Sequence, residues 1–497
     1  MKFAELCDAL SLTGVAVSDN DVSGVAFDSR NVTPGSVFVA VDGNRDKGSR
    51  YIGDAISRGA TAIISEDAPP ASLPSGVAWL RVPSARKALA HAACAFYGDP
   101  SRAMKVYAVT GTNGKTTIAG LVRDIIEASG VTCGLLSTVE IAYPGHVEEA
   151  SRTTPDPVTL QHDLAAMRAA GCGAASMEAS SHALDQSRTG GVRFAAAGFT
   201  NLSQDHFDYH DGFESYFAAK SKLFLQLGEE NPGAPGVVNA DDPFGRRLLS
   251  MLPSMKVCPV SYSIGDDADI VAREVRIDVD RTSFMLHAGG RSSEIQSRLL
   301  GRYNISNMLC AAGMALGTGV PFDVVCESLR KATPRWGRLE KTAEYNGAAI
   351  FVDYAHTPDA IGKVLGALRE ITVGRLIIVF GCGGDRDKAK RPKMAAIAAE
   401  MADFTILTSD NPRTEDPNAI LDDAERGFDG RGAEYIRVTD REKAIQAAIG
   451  RARPGDTIVI AGKGHENYQE INGVKHPFDD REVVRRLCGV DAQNHGQ

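Results

Sequence analysis

An α/β fold in three domains is what this sequence predicts. Three observations carry that expectation: the chain is 497 residues long, it holds 50 glycines, and its β-branched runs alternate with helical patterns and end in polar tails. Domains of roughly 100–200 residues are usual, so the length suggests about three. The glycines exceed the roughly 7 % norm and suit many strand-to-helix turns. Hydrophobic residues at 43 % and charged residues at 24 % are ordinary for a globular chain, so core size is not limiting.

Turn chemistry sets the boundaries, because the chain has no short-period repeat and no low-complexity segment. YGDPSR (Tyr97 to Arg102) separates an alanine-rich helical stretch from the strand MKVYAV, and ATPRWGR (Ala332 to Arg338) precedes the strand AAIFVDY. The expected domains are therefore a smaller α/β unit over 1–100, a central unit over 101–334 and a third over 335–497. In the third, AIFVDY, RLIIVFG, DFTILTSD and DTIVIAG each end in Gly, Asp or Tyr, the pattern of a mostly parallel, doubly wound, Rossmann-like sheet. Ligands of such sheets sit beyond the carboxyl ends of the strands. The tails DYAHTPD, GCGGDRDK, SDNPR and GKGHE occupy those ends.

A net charge of -9 without any long Lys/Arg run argues against a nucleic-acid groove or an anionic membrane surface. Glu5 and Asp8 interrupt the opening MKFAELCDAL, and no later stretch reaches 18 uncharged apolar residues, so a cytoplasmic protein without membrane insertion is expected. Nine cysteines without a C-x-x-C pair read as small buried hydrophobes in a reducing compartment.

The stretch AVTGTNGKTT (108 to 117) is a phosphate-binding loop one step short. The usual motif puts four residues between its first glycine and Gly-Lys-Ser/Thr, but Gly111 stands three positions before Gly114, and Val109 takes the usual glycine's place. Its surroundings still fit a nucleotide. Lys105 to Thr110 reads as a strand, and Ile118, Leu121, Val122, Ile125 and Ile126 keep helical spacing up to Gly130. At such a strand-to-helix junction the backbone N–H groups and helix dipole favour phosphate, Lys115 reaches the β/γ-phosphates, and the Thr116 hydroxyl can ligate Mg²⁺.

Other constellations leave alternatives open. Glu178 follows the apolar run AASM and can be a strand-end carboxylate facing the loop or a solvated glutamate. Asp205, His206, Asp208 and His210 lack the order of zinc hydrolase sites, and structural histidines satisfied by backbone are a further reading. Lys220 lies on the helix-like FESYFAAKSKLFLQL, where most lysines are solvated. GCGGDR is a weak dinucleotide turn, since Arg386 stands where the third glycine belongs.

The shortened loop T-G-T-N-G-K-T-T resembles that of the Mur ligase and folylpolyglutamate synthase superfamily, in which it serves ATP-dependent amide-bond formation. MEASSHALDQSR (177 to 188), FTNLSQDHFDYH (199 to 210), AAKSKLF (218 to 224), GRYNISNMLCAAG (301 to 313), GRLE (337 to 340), VDYAHTPDA (352 to 360), GCGGDRDKAKRP (381 to 392), DNPR (410 to 413) and GKGHE (462 to 466) extend it in order through all three segments. Together they resemble the Mur ligases that add meso-diaminopimelate to UDP-N-acetylmuramoyl-L-alanyl-D-glutamate in cytoplasmic peptidoglycan precursor synthesis.

The resemblance implies a UDP-sugar-binding first domain, a central ATPase domain with a mostly parallel sheet, and an amino-acid-binding third domain. It implies ATP contacts at Gly111, Thr112, Asn113, Gly114, Lys115, Thr116 and Thr117, with Asn304, Arg338 and Asp353 reaching ATP from the domain seams. Magnesium would be held by Thr116, Glu178, His206 and a carbamylated Lys220; the A-K-x-x-L-F spacing selects Lys220 over Lys222. Phe27, Ser29, Asn44, Arg45 and Asp46 would meet the uridine diphosphate. Arg152, Thr153, Thr154, Ser180, Gln186 and Arg188 would meet the muramyl-peptide. Arg386, Asp410, Asn411, Pro412, Arg413, Gly462 and Glu466 would bind diaminopimelate, with Arg413 otherwise free to pair with Asp410 or Asp416 as a loop stiffener. A monomer acting on these small molecules is expected.

Competing classes have discriminators. A folylpolyglutamate synthase would lack the UDP-binding domain and DNPR. A regulatory GTPase needs Asn-Lys-x-Asp, and no asparagine here precedes a lysine. A purely structural cell-wall-associated protein would not need the phosphate loop.

Overall fold

A computed structural model describes residues 1–12, 21–43, 46–207, 209–334 and 337–490. They form three α/β domains, each built on its own sheet.

The first sheet has four parallel strands in chain order, Gly24–Ala26, Ser36–Val39, Ala62–Ser65 and Ala78–Arg81. The helix Ala85–Phe96 begins where the Ser84 hydroxyl accepts the Lys87 N–H, the usual device for satisfying an orphan amide of the first turn. Its alanines let it approach the central domain closely: a Cβ added to Gly190 would lie 2.9 Å from that of Ala90.

The central sheet has eleven strands, and its seven-stranded interior is parallel. The order there is Ile270–Ile277, Cys258–Ile264, Pro235–Asn239, Phe194–Phe199, Lys105–Thr110, Ala174–Glu178 and Cys133–Leu136. Lys105–Thr110 is buried on both faces from Val106 onward, as an interior parallel strand must be. Ile118, Val122 and Ile125 belong to the apolar layer on one side, and Leu160, Leu164, Phe194 and Leu223 to the other.

Both edges of this sheet are antiparallel, which the expectation of a mostly parallel sheet does not specify. Glu140–Tyr143 and His146–Glu149 close one edge, and Thr282–Ala288 with Arg291–Ser297 the other. Gly289 and Gly290, both at positive φ, form the two-residue turn of the second hairpin, where the strand twist demands that conformation. The YGDPSR boundary also holds a short helix, Pro100–Ala103.

In the third sheet Glu340–Tyr345 lies antiparallel on Ala348–Asp353; Thr457–Ala461, Leu376–Cys382, Phe404–Ser409 and Tyr435–Arg437 follow in parallel. All four runs expected as strands are strands. Their carboxyl ends carry the four polar tails to one rim. A fully buried ion pair, Arg441 to Asp480 at 2.7 Å, fastens the helix Arg441–Ile449 to the helix Asp480–Cys488.

Candidate active site

The shortened loop joins the strand Lys105–Thr110 to the helix Lys115–Ala128 at the middle of the central sheet. A side chain at Gly111 would overlap the Thr200 hydroxyl, and one at Gly114 the Asn307 side chain. Both glycines also take positive φ, so packing and backbone each require them. Lys115 folds back over the loop, its Nζ donating to the carbonyls of Gly111 at 2.9 Å and Thr112 at 2.8 Å. Burial lowers its pKa, while Glu178 and Asp205 oppose that shift.

Glu178 ends the strand Ala174–Glu178 and is buried; the solvated reading is excluded. Its carboxylate accepts the Thr138 N–H at 2.7 Å and the Thr138 hydroxyl at 3.0 Å. A carboxylate has about four lone-pair sites, so acceptor capacity remains for a hard cation. Lys220, on the helix Gly212–Glu230, is buried and donates to the Gly111 carbonyl at 2.7 Å. Lys222 instead faces outward to Asp185 at 2.7 Å.

The histidines divide. His210 is buried, 2.9 Å from the Ser181 hydroxyl, and fits the structural reading. His206 lines the cleft, edge-on to His182 with ring centroids 4.9 Å apart. Desolvation pushes its pKa down to about 4, with Asp205 opposing, so its ring is neutral at ordinary pH. Asp208 lies outside the described residues. Among those described, no group of three or more His, Cys, Asp and Glu is placed to hold a metal. Magnesium commonly takes one or two carboxylates and completes its shell with phosphate oxygens and water, so Glu178 and the Thr116 hydroxyl still fit it.

Glu178 also borders the residues expected at the muramyl-peptide. Thr154 donates from its hydroxyl to the Glu178 carbonyl at 2.8 Å and accepts the Ser180 N–H at 3.0 Å. Arg188 donates to the Thr154 carbonyl and, through Nε and Nη2, to Gln186. The Thr153 hydroxyl lies 3.1 Å from that of Thr138, and Thr153 lines the cleft with Arg152. In the first domain Ser29 is buried, Phe27 is exposed, and Asp46 faces Arg50 at 3.5 Å. Asn44 and Arg45 lie outside the described residues.

From the third domain Arg338 reaches the loop helix, 3.4 Å from the Thr116 hydroxyl, with its guanidinium over the Tyr354 ring. With Thr117 and Asn304 it lines a small crevice beside that helix. Asp353 is buried; its carboxylate accepts the N–H groups of Leu339 at 2.6 Å and Ala355 at 2.7 Å. Burial raises its pKa, with Arg338 opposing.

The strand-end tails converge on one side of the cleft. Gly384 admits no side chain, because a Cβ would overlap the Pro412 carbonyl. A Cβ on Gly383 would lie 3.1 Å from Arg413 Nη1 and 3.8 Å from Arg386 Cγ, so this turn brings the two arginines together. Arg413 pairs with Glu470 at 3.2 Å and donates to the Gly384 carbonyl at 2.7 Å. Neither Asp410 nor Asp416, the partners expected of a loop stiffener, fills that place.

Sequence reasoning missed Lys463. It is buried, donating to Asn411 at 3.0 Å and pairing with Asp410 at 3.4 Å and Glu466 at 3.2 Å. Burial opposes the shift, but Lys463 and Arg441 hold Asp410 below the usual carboxylate range. Burial and Asp410 raise Glu466, with Lys463 opposing. The GKGHE tail was the available signal, since it holds Lys463 and Glu466 three residues apart, but Asp410 and Asn411 lie more than fifty residues away and cannot be read from it.

A single cleft of about 1560 Å³ is lined by Thr138, Arg152, Thr153 and His206 of the central domain and by Arg386, Asp410, Asn411, Arg413, Gly462 and Glu466 of the third. Three family descriptions match in the same order: "Mur ligase family, catalytic domain" over 21–97, "Mur ligase middle domain" over 109–315, and "Mur ligase, glutamate ligase domain" over 337–464. A Pseudomonas aeruginosa protein named UDP-N-acetylmuramoyl-L-alanyl-D-glutamate--2,6-diaminopimelate ligase is 42 % identical over 468 residues, covering 94 % of this chain and 95 % of its own. The chain belongs to the Mur ligase family.

Other relatives agree. A Chlorobaculum tepidum protein of the same name is 44 % identical, with 93 % of this Mur ligase and 92 % of the relative covered. A solved structure with that name matches at a TM-score of 0.73 and 33 % identity, covering 100 % of both chains. A Mycobacterium tuberculosis folylpolyglutamate synthase complexed with ADP and AMPPCP matches at a TM-score of 0.62 over 81 % of this chain and 95 % of its own, but at 19 % identity it shares the fold alone. As a Mur ligase the protein is an ATP-dependent ligase.

Proposed function

We propose that this Mur ligase adds meso-diaminopimelate to the D-glutamate of UDP-N-acetylmuramoyl-L-alanyl-D-glutamate, with conversion of ATP to ADP and phosphate, in cytoplasmic peptidoglycan precursor synthesis. The observation that carries the reading is the shared cleft, where Thr153 and His206 on one side meet an arginine pair and the Asp410, Asn411 and Glu466 group on the other. The names of the near full-length relatives support the same substrates.

In this reading the γ-carboxylate of the D-glutamate attacks the γ-phosphorus of ATP, ADP leaves, and an acyl phosphate remains. Lys115 and the loop amides stabilise the charge that spreads over the transferring phosphoryl group. The amine of diaminopimelate then attacks the acyl carbon; phosphate leaves and the nitrogen loses its proton. Bound Mg²⁺ would supply further charge neutralisation at the phosphates. Thr116, Glu178, His206 and a carbamylated Lys220 are the residues to hold it. Thr117 adds to the ATP contacts, and Asn304, Arg338 and Asp353 reach ATP from the domain seams. Thr153, Thr154, Ser180, Gln186 and Arg188 orient the peptide, and Phe27, Ser29 and Asp46 face the uridine diphosphate. Domains over 1–100, 101–334 and 335–497 carry these partners separately, so closure assembles the site and excludes water from the acyl phosphate. The enzyme acts as a monomer.

The test is an incubation with ATP, Mg²⁺, the UDP-muramoyl-dipeptide and diaminopimelate. Expected is phosphate release that needs all the organic substrates and a product heavier by one diaminopimelate less water. Phosphate release without that product would overturn the reading.

A further inference from the structure

Asp359 crosses from the third domain to the phosphate loop. It stands in the first turn of the helix Pro358–Arg369. Its Oδ2 accepts the Asn113 side-chain amide at 2.6 Å and the Ser203 hydroxyl at 2.8 Å, both from the central domain. Lys363, one turn further along, pairs with the same oxygen at 2.9 Å.

Both partners belong to the loop or to its support. Asn113 is held by its own domain through the backbone: its N–H donates to Asn201 Oδ1 at 3.1 Å, and its carbonyl accepts from the Thr200 hydroxyl at 2.7 Å and Asn201 Nδ2 at 3.3 Å. The side chain of the same residue is given to the other domain. The Ser203 N–H donates to the Thr112 hydroxyl at 3.0 Å, and that hydroxyl donates to the Ser203 carbonyl at 3.3 Å. One carboxylate oxygen thus grips the loop at Asn113 and again, through Ser203, at Thr112. The contact needs a carboxylate-like acceptor on the third domain, and it forms only while that domain lies against the loop.

We propose that Asp359 is a positioning residue: through Asn113 and Ser203 it locks the amino-acid-binding domain onto the phosphate loop in the arrangement where the incoming amine meets the acyl phosphate. The proposal rests on the ligase reading above. The phosphate loop holds most of the ATP contacts within the central domain, and Arg338 and Asp353 add theirs from the third. Loss of this lock therefore weakens ATP binding far less than turnover, in which closure and orientation of the two reactants enter the rate.

The experiment is a double-mutant cycle on the full chain, with Asp359→Ala, Asn113→Ala and their combination, joined by Asp359→Asn. Turnover, ATP affinity and melting temperature are read for each. For Asp359→Ala we expect kcat to fall roughly 10- to 100-fold, as when a positioning contact remote from the chemistry is lost, with ATP Kd within about threefold of the parent. Asp359→Asn keeps an acceptor oxygen and recovers most of the turnover. The double variant falls about as far as the worse single variant, because coupled residues are not additive. The proposal is overturned if Asp359→Ala keeps its turnover, if ATP affinity falls as far as kcat, or if the single effects multiply. Small-angle scattering with a non-hydrolysable ATP analogue gives a readout independent of ligation: Asp359→Ala is expected to be more expanded than the parent, and superimposable profiles overturn the lock even if no ligase product forms. Should Asp359→Ala fail to fold, Asp359→Ser, whose hydroxyl is too short to reach both partners, paired with Ser203→Ala completes the same cycle.

Discussion

The Nζ of Lys220 lies 2.7 Å from the carbonyl oxygen of Gly111, so a buried lysine of one helix ends on the first glycine of the phosphate loop. The Tyr216 ring lies beneath it at 4.3 Å. Burial, and then the Lys115 cation, hold its pKa well below the usual lysine range. A neutral amine is the form that adds carbon dioxide: the N–C bond forms, a proton leaves, and a carboxylate-like anion results. Turnover is therefore expected to drop in buffer stripped of carbon dioxide, by roughly tenfold if about 1.4 kcal/mol of transition-state stabilisation is lost, and to return with bicarbonate. Equal rates in both buffers would contradict the carbamate.

Lys115 braces its own loop through two carbonyls. In turnover it must release them for the phosphates. Lys115→Ala is expected to lower kcat on the order of 10² to 10⁴, the usual effect of removing one preorganised donor to developing charge. The far-ultraviolet circular dichroism should match the parent. Parental turnover in this variant would remove the loop from the chemistry.

Arg413 is already oriented by Glu470 and the Gly384 carbonyl, beside Arg386. A guanidinium fork suits the distal carboxylate by which diaminopimelate differs from lysine. Arg413→Ala is expected to cost about 2 to 5 kcal/mol in diaminopimelate binding and to narrow its advantage over lysine. Isothermal titration of both amino acids against the parent and the variant measures this. An unchanged preference would move specificity elsewhere.

His465 gives the fold an acid sensitivity. Its Nδ1 is buried with no hydrogen-bond partner among the described residues, and burial, then Arg338, push the ring down to about 3. The unfolded chain binds that proton near pH 6.5. Because the folded value is the lower one, protonation favours unfolding, and stability is lost as pH falls from about 6.5 towards 3. Melting temperatures at pH 7.5 and 5.5 are expected to differ less in His465→Gln than in the parent; an identical difference would put the sensitivity on other groups.

The phosphate loop was legible because its residues are consecutive and its glycines answer a local backbone demand. The third sheet was legible for a similar reason: interior parallel strands are buried on both faces, so each shows as an unbroken apolar run. The antiparallel edges were less so, although Gly289–Gly290 carried a readable hairpin signal. What could not be read are pairings between distant segments. Lys463 meets Asp410 and Arg413 meets Glu470 across more than fifty residues, and Asp359 meets Asn113 across 246. Nothing local in DNPR distinguishes a stiffened arginine from a ligand-facing one.

The most direct measurement is phosphate release at equal, subsaturating concentrations of meso-diaminopimelate or L-lysine, with ATP, Mg²⁺ and UDP-muramoyl-dipeptide present. Arg386 is exposed, and Arg413 is half-buried and already held by Glu470, so lysine forgoes a carboxylate–guanidinium contact without stranding a buried charge. A preference for diaminopimelate of roughly 10- to 100-fold is therefore expected, the worth of a hydrogen bond to a charged group. Comparable rates with the two amino acids would contradict the account.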